Sequence, residues 1–137
     1  VTAVPLRGAE EHLAQPAVVL AGDSLRRKLA PTLGETLNRE LGVSSTSFGA
    51  GASRPLIRGL GGERVRVLEN GIGAMDASSL SDDHAVSVDP LLARQVEVLK
   101  GPATLLYGSG AIGGIVNVVT DRVPTALSAR PRGKLQF

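Results

Sequence analysis

The sequence predicts an α/β (α+β) domain built from a small mixed β-sheet and short helices. Several runs rich in valine, isoleucine and leucine have the character of strands, and one stretch has the apolar spacing of a helix. The 17 glycines and eight prolines in 137 residues indicate many turns and close backbone approaches rather than a helical bundle. Because aromatic residues make up only 2% of the chain, the core must consist of aliphatic side chains.

The first part of the chain predicts a leader, a strand and a short helix. Residues 1–16 contain two prolines and a pair of glutamates without a clear period, which is typical of an extended leader. The run AVVLAG at 17–22 predicts a strand. Residues 23–30 predict a helix that is capped by Asp23 or Ser24 and ends before a proline.

The strongest helix signal lies at 32–42. Thr32 and Glu35 have the spacing of a capping box, and Gly42 stands where a glycine commonly ends a helix. Leucines recur at every fourth position and predict one apolar stripe: Leu33, Leu37 and Leu41.

The middle of the chain predicts strands and one long loop. Residues 43–63 read as short strands broken by glycines, and 64–72 predict a hairpin that turns at Asn70-Gly71. Residues 73–88 are polar without a period, which indicates a long surface loop, a feature that is often functional.

The last part alternates short helical turns with strands. Asp89 followed by a proline predicts the start of a short helix. The stretch 95–101 alternates valines with polar residues and predicts a strand, and 102–107 predicts one or two helical turns. The run GIVNVVT at 114–120 predicts another strand.

Gly108, Gly110 and Gly113 spell the G-x-G-x-x-G pattern of dinucleotide-binding folds, in which the glycines open a helix. Here a β-branched run follows them, and no acidic residue stands about 20 positions further on to bind a ribose. The glycines therefore predict a sharp turn into a strand that packs closely against its neighbours.

The composition argues against enzymes and nucleic-acid partners. The 15 basic and 13 acidic residues are nearly balanced, and few aromatic residues are present to stack on bases. Cysteine is absent, and neither His12 nor His84 stands in a spacing typical of a catalytic triad. The paired carboxylates at 10–11 and 82–83 lie in polar segments that give no apolar environment to raise a pKa. We therefore expect neither an enzyme nor a nucleic-acid partner.

Three segments together resemble the plug domain of TonB-dependent outer-membrane receptors. VEVLKGPATLLYGSGAIGGIVNVVT at 96–120 is similar to the closing signature of these plugs, and RPLIRGLGGERVRVLENGI at 54–72 to the middle one. TLGETLNRELGV at 32–43 resembles the helix that precedes them. The order and spacing agree, and three motifs in register are far more specific than one.

The resemblance implies a gate inside an outer-membrane barrel of about 22 strands in a Gram-negative bacterium. Residues 1–16 would be a truncated energy-coupling segment that reaches the TonB protein, 17–122 the plug, and 123–137 a linker and the start of the first barrel strand. The barrel would be the plug's own C-terminal domain. Alternatives are the plug of a siderophore or haem receptor, or a stand-alone soluble α/β binding module.

The resemblance also implies two sets of site residues. The sequence stretch SDDHAVSVDPLLARQVEVLKGP at 81–102 is similar to the corresponding segment of the zinc-uptake subgroup of these receptors. In that subgroup an Asp-His pair in a plug loop binds zinc together with barrel residues. Asp83 and His84 match that pair, whereas Asp82 and Met75 have no such support. Zinc would be the transported substrate, and no cofactor is required. From the residues alone, a solvated histidine beside two surface acids is the alternative.

Arg58 and Lys100 match positions at which plugs carry cations that face acidic groups on the barrel wall. Many relatives have arginine where this chain has Lys100, and lysine does not offer the planar two-point fork of a guanidinium. From the residues alone, both cations would be solvated charges at strand edges.

Overall fold

The computed structural model describes residues 17–74 and 77–121, which form a five-stranded sheet, a two-stranded sheet and short helices. The strands and α-helices in chain order are β1 (Ala17–Ala21), α1 (Gly22–Arg26), α2 (Leu33–Leu37), β2 (Val43–Ser45), β3 (Pro55–Ile57), β4 (Val65–Glu69), β5 (Ile72–Gly73), β6 (Ala93–Leu99) and β7 (Gly114–Thr120). Short 3₁₀ turns lie at Gly62–Arg64, Ala77–Ser79, Pro90–Leu92, Pro102–Tyr107 and Ser109–Ala111. The predicted fold class is confirmed.

The larger sheet has the strand order β1-β6-β7-β4-β5, and the smaller one pairs β2 with β3. β6 lies antiparallel between β1 and β7, whereas β4 runs parallel to β7. A parallel pair needs a long crossover connection, and the chain between β4 and β7 supplies it by forming β5, the 77–92 segment and β6. The sheet is mixed for this reason.

The local signals of turns and caps are confirmed where they were strongest. Asn70 and Gly71 have φ values of 52° and 82°, as the two central residues of a type I′ hairpin turn require. The carboxylate of Asp89 accepts a hydrogen bond of 2.8 Å from the backbone N–H of Leu91 and caps the turn that follows.

Both predicted helices are shorter in the structure. α1 begins at Gly22, so Ala21 is its N-cap, and Ser24 lies inside the helix with its hydroxyl bonded to the backbone of Ala21. The expectation that Asp23 or Ser24 caps this helix was wrong by two or three residues, because the extended β1 runs directly into the helix.

The Thr32 cap of α2 is confirmed. The hydroxyl of Thr32 accepts from the backbone N–H of Glu35. The Glu35 carboxylate accepts from that hydroxyl rather than from the backbone N–H of Thr32, as a complete capping box would require. The helix nevertheless ends at Leu37, and Leu41 is 88% exposed, so the predicted apolar stripe stops after two leucines. The reason is that tight turns replace the last helical turn, and Gly42, at φ 68°, directs the chain into β2.

Apolar side chains pack on both faces of the larger sheet. One cluster joins the helices to the first face and includes Leu20, Leu25, Leu33, Leu37, Ile57, Val96, Val98, Val116 and Val118. The second face carries a smaller cluster of Leu68, Leu99, Ala111 and Ile115, with Tyr107 against it. Because Ala111 and Tyr107 belong to the segment before β7, that segment covers the second face.

Candidate functional site

The glycine-rich segment before β7 is a packing device. A Cβ atom on Gly113 would lie 2.7 Å from the carbonyl oxygen of Arg64, and one on Gly114 would lie 2.9 Å from the carbonyl oxygen of Leu99. Both distances are below normal contact, and a backbone carbonyl cannot rotate away as a side chain can. The segment therefore runs close to its neighbours and enters a strand, as the sequence predicted.

Arg58 and Lys100 meet at the turn that follows α2. Arg58 comes directly after β3, and its backbone N–H donates a 2.9 Å hydrogen bond to the carbonyl of Gly42. Lys100 comes directly after β6, and its ammonium donates to the carbonyl of Leu41. A Cβ on Gly42 would lie 3.7 Å from Lys100 Nζ and 4.0 Å from Arg58 Cγ. The fold thus brings together two cations that are distant in sequence.

More positive than negative charge surrounds the point where Arg58 and Lys100 meet. Lys100 is only 4% exposed, and its burial, together with the Arg58 cation, lowers the pKa of its ammonium, while the Glu40 carboxylate opposes the shift. Glu40 is itself paired with the ammonium of Lys28. Arg58 is exposed. An additional carboxylate brought to this position would therefore find excess positive charge.

Asp83 and His84 lie on the 77–88 segment. Both side chains are about half exposed, and Nδ1 of the His84 ring lies 2.8 Å from Oδ1 of Asp83. The hydroxyl of Ser81 donates to the same carboxylate oxygen. This hydrogen bond, and then the one to His84, lowers the pKa of Asp83, so its carboxylate stays ionised throughout the range in which a histidine titrates.

This pair has two of the four ligands that a zinc ion takes in proteins. Within residues 17–74 and 77–121, no group of three or more His, Cys, Asp or Glu side chains could hold a metal ion. Met75 lies outside the described residues. Asp82 has a different contact, since its Oδ1 lies 3.8 Å from Nη1 of the buried Arg54. Any further ligands would have to come from outside this part of the chain.

Sequence reasoning missed two buried charged residues, Arg54 and Glu97. Glu97 is fully buried on the second face of the sheet and accepts hydrogen bonds from the side-chain amides of Gln95 and Asn117. The alternating pattern of the strand predicts that Glu97 faces solvent, but the glycine-rich segment, which is distant in sequence, covers that face. Arg54 pairs with Asp82, which lies 28 positions further along the chain, and no local pattern predicts such a pair.

Among the residues that the structure describes, no helix is long and apolar enough to cross a membrane.

The described residues form a small mixed sheet with the glycine-rich segment over one face, and Arg58 and Lys100 meet at the α2 turn. The model of the TonB-dependent receptor plug domain family matches residues 9–115. The chain therefore belongs to this family, which confirms the resemblance read from the three motifs.

Solved structures that resemble the chain include receptors named for siderophores. The siderophore receptor PirA from Acinetobacter baumannii is 27% identical with a TM-score of 0.64, over 78% of this chain and 17% of that one. PirA from Pseudomonas aeruginosa is 30% identical with a TM-score of 0.57, over 77% and 18%. The ferric enterobactin receptor of Pseudomonas aeruginosa, at 24% identity and a TM-score of 0.64 over 78% and 18%, shows the fold alone. The chain thus spans less than a fifth of these receptors.

Proposed function

We propose that this chain is the gate of a TonB-dependent transporter in the outer membrane of a Gram-negative bacterium. The observation that carries the proposal is the family match across 9–115, on a fold whose described residues follow the plug architecture. The plug closes the lumen of its own β-barrel and contributes loop residues to cargo binding. The TonB protein supplies energy by pulling the leader at 1–16. The function is transport without a covalent step.

The paired cations are the contact with the barrel in this proposal. Arg58 and Lys100 lie together, and the one carboxylate that acts on Lys100, Glu40, is already engaged by Lys28. Carboxylates on the barrel wall would complete this site, and a contact between buried charges with hydrogen-bonding geometry favours one seating of the plug. The ammonium of Lys100 would act as a compact positive charge, whereas the planar guanidinium of Arg58 could donate two parallel hydrogen bonds to one carboxylate.

The test is to replace both cations in the intact receptor. With Arg58→Ala and Lys100→Ala together, barrel carboxylates lose their partners, at a cost of about 1–3 kcal/mol for each buried one. We expect increased leakage of small solutes through the receptor. Arg26→Ala is the matched control, because Arg26 is an exposed cation that pairs with Asp23 within the plug. A double variant that seals the pore and transports as the parent does would show that Arg58 and Lys100 do not hold the plug in the barrel.

For the cargo, we propose zinc bound by Asp83 and His84. The support is geometric: both side chains are half exposed, and Nδ1 of His84 lies only 2.8 Å from Oδ1 of Asp83, so one metal ion that replaces this contact can bind both atoms. Two adjacent side chains cannot complete a tetrahedral site. Barrel side chains would supply the other ligands, so the intact receptor should bind zinc tightly and the plug alone weakly.

Zinc titration of the intact receptor tests this assignment. His84→Ala and Asp83→Ala should each weaken binding and impair growth on limiting zinc, whereas His12→Ala, which removes the other histidine of the chain, should not weaken zinc binding. If both loop variants keep the parent's affinity and growth, zinc is not the cargo of this loop.

A ferric siderophore is the second candidate cargo, and the names of the structural neighbours favour it. The same titration with ferric enterobactin, the ligand named for one neighbour, separates the two candidates. Binding of this probe that is insensitive to His84→Ala, without zinc binding, would identify a siderophore receptor.

A further inference from the structure

Arg54 is held rigidly at the junction of the two sheets. It directly precedes β3 and is only 4% exposed. Its carbonyl accepts a 2.9 Å hydrogen bond from the backbone N–H of Thr46, and its own N–H donates a 3.0 Å hydrogen bond to the Thr46 hydroxyl. Its guanidinium donates to the carbonyl of Gly62 at 3.3 Å. A Cβ on Gly34 would lie 2.9 Å from the Arg54 backbone, so α2 packs directly against this residue. Arg54 is thus a fixed cation inside the fold.

Asp82 brings the 77–88 segment to this cation. Its side chain is 65% exposed, and its Oδ1 lies 3.8 Å from Nη1 of Arg54. A buried guanidinium is costly to desolvate unless hydrogen bonds or an opposite charge compensate it. The contact with Asp82 therefore stabilises the buried Arg54 more than an ion pair between two exposed side chains would. Asp82 is also the residue immediately before Asp83, so its position sets where the Asp83–His84 pair begins.

We propose that Arg54 is a positioning residue for the zinc site and that Asp82 is the link through which it acts. Arg54 fixes Asp82, and Asp82 fixes the start of the segment that carries Asp83 and His84. Ordering a loop costs about 1–2 kcal/mol of conformational entropy for each backbone residue that is fixed. If the Arg54–Asp82 contact already orders the residues next to the ligands, less entropy is lost when zinc binds. The inference rests on the proposed zinc function of that pair.

The sign of the Arg54 effect separates positioning from simple electrostatics. Arg54 is a cation, so charge alone predicts that its removal strengthens the binding of Zn²⁺ nearby. Positioning predicts the opposite. Removing a residue that orients a metal ligand typically weakens metal binding by about 10–100-fold. We therefore expect Arg54→Gln to weaken zinc binding by about tenfold in the intact receptor.

The experiment is a zinc titration of the intact receptor with Arg54→Gln, Asp82→Asn and the double variant. Each single variant should weaken binding, and the double variant should be no weaker than the worse single one, because both break one link. Asp23→Asn is the matched control, since it removes an exposed acid that pairs only with Arg26 in its own helix.

Arg54→Lys keeps the test decisive if Arg54→Gln does not fold. Lysine keeps the positive charge, so charge alone predicts an unchanged zinc affinity. It lacks the planar guanidinium that contacts both Gly62 and Asp82, so positioning predicts weaker zinc binding with an unchanged melting temperature.

The outcomes distinguish this inference from the function on which it rests. Zinc binding by Arg54→Gln, or by Arg54→Lys if Arg54→Gln does not fold, that is as tight as in the parent or tighter overturns the positioning role. In either case Asp83→Ala and His84→Ala can still abolish binding, and the zinc site stands. If Asp83→Ala and His84→Ala keep the parent's affinity, the zinc function itself is wrong and the positioning role falls with it.

Discussion

A series of glycine-to-alanine substitutions tests the idea that the glycine-rich segment is a packing device. Adding a Cβ to a glycine can destabilise the fold in two ways, by a clash with close neighbours or by strain at a positive φ, and four glycines separate the two effects. Gly49 has open space around it and no positive φ, and Gly51 has open space but a φ of 82°. Gly113 has close neighbours without a positive φ, and Gly114 has both close neighbours and a φ of 152°.

The structure gives an order of magnitude for each change. Gly49→Ala should be neutral or slightly stabilising, because alanine restricts the unfolded chain. Gly51→Ala should cost about 1–2 kcal/mol for a left-handed backbone. Gly113→Ala should cost about 1–3 kcal/mol, because the new methyl would lie 2.7 Å from a backbone carbonyl. Gly114→Ala combines both and should cost about 2–5 kcal/mol.

Urea unfolding of the 137-residue chain, followed by far-ultraviolet circular dichroism, measures these differences. The chain has no tryptophan and a single tyrosine, so fluorescence is a poor probe. A domain of this size is stable by about 5–15 kcal/mol, and the largest expected loss is a considerable fraction of that. The slope of the transition should stay constant if only stability changes. If Gly113→Ala and Gly114→Ala unfold at the same urea concentration as Gly49→Ala, the packing argument is refuted.

Three further predictions follow from the contacts of single side chains. Because burial and Arg58 lower the pKa of Lys100 below 10.5, the unfolded state binds that proton more tightly, and stability should rise with pH as the pH approaches 10.5 from below. Lys100→Met should flatten this rise in urea unfolding. Asn70→Asp keeps the acceptor for the backbone N–H of Thr120 but loses the amide donor to its hydroxyl, so the free energy of unfolding should fall by about 1 kcal/mol. A proton and a metal ion compete for the same imidazole lone pair, so the zinc affinity of the intact receptor should fall as the solution is acidified, and His84→Ala should reduce this dependence.

The sequence predicted the elements whose signals are local. The Thr32 cap, the Asn70-Gly71 turn and the Asp89 cap each depend on residues within four positions of one another, and all three are confirmed. Local hydrogen bonds and backbone preferences determine such features, and tertiary packing has only to accommodate them.

The end of α2 could not be predicted because tight turns and the pairing of β2 with β3 determine it. Leucine spacing favoured a helix up to Gly42, but the backbone N–H groups of Glu40 and Val43 donate to the carbonyls three residues before them. The chain turns at Gly42 so that β2 can pair with β3. Tertiary contacts override helix propensity here, since propensity is worth only a few tenths of a kcal/mol per residue.

The spatial arrangement of the candidate site residues could not be predicted from the sequence. The motifs placed Arg58 and Lys100 in the plug signatures, yet only the strand order shows that β3 and β6 end at the same turn. The same holds for the Asp82 contact with Arg54, which joins two loops. Side-chain partners across a sheet follow from topology, and a single sequence contains no direct record of them.

The proposed zinc ligands are not among the residues that set the fold, and this limits what the structural neighbours imply about function. The likeness to siderophore receptors reflects the strand arrangement and the glycine-rich segment, which set the architecture. Asp83 and His84 lie on a segment that contacts the rest of the fold through the buried Val88 and through the ion pair of Asp82 with Arg54. Substitutions on that segment can change the ligand chemistry at little cost to the sheet, because both side chains are half exposed. A shared fold is therefore compatible with different cargoes, and the chemistry of the loop carries the substrate argument.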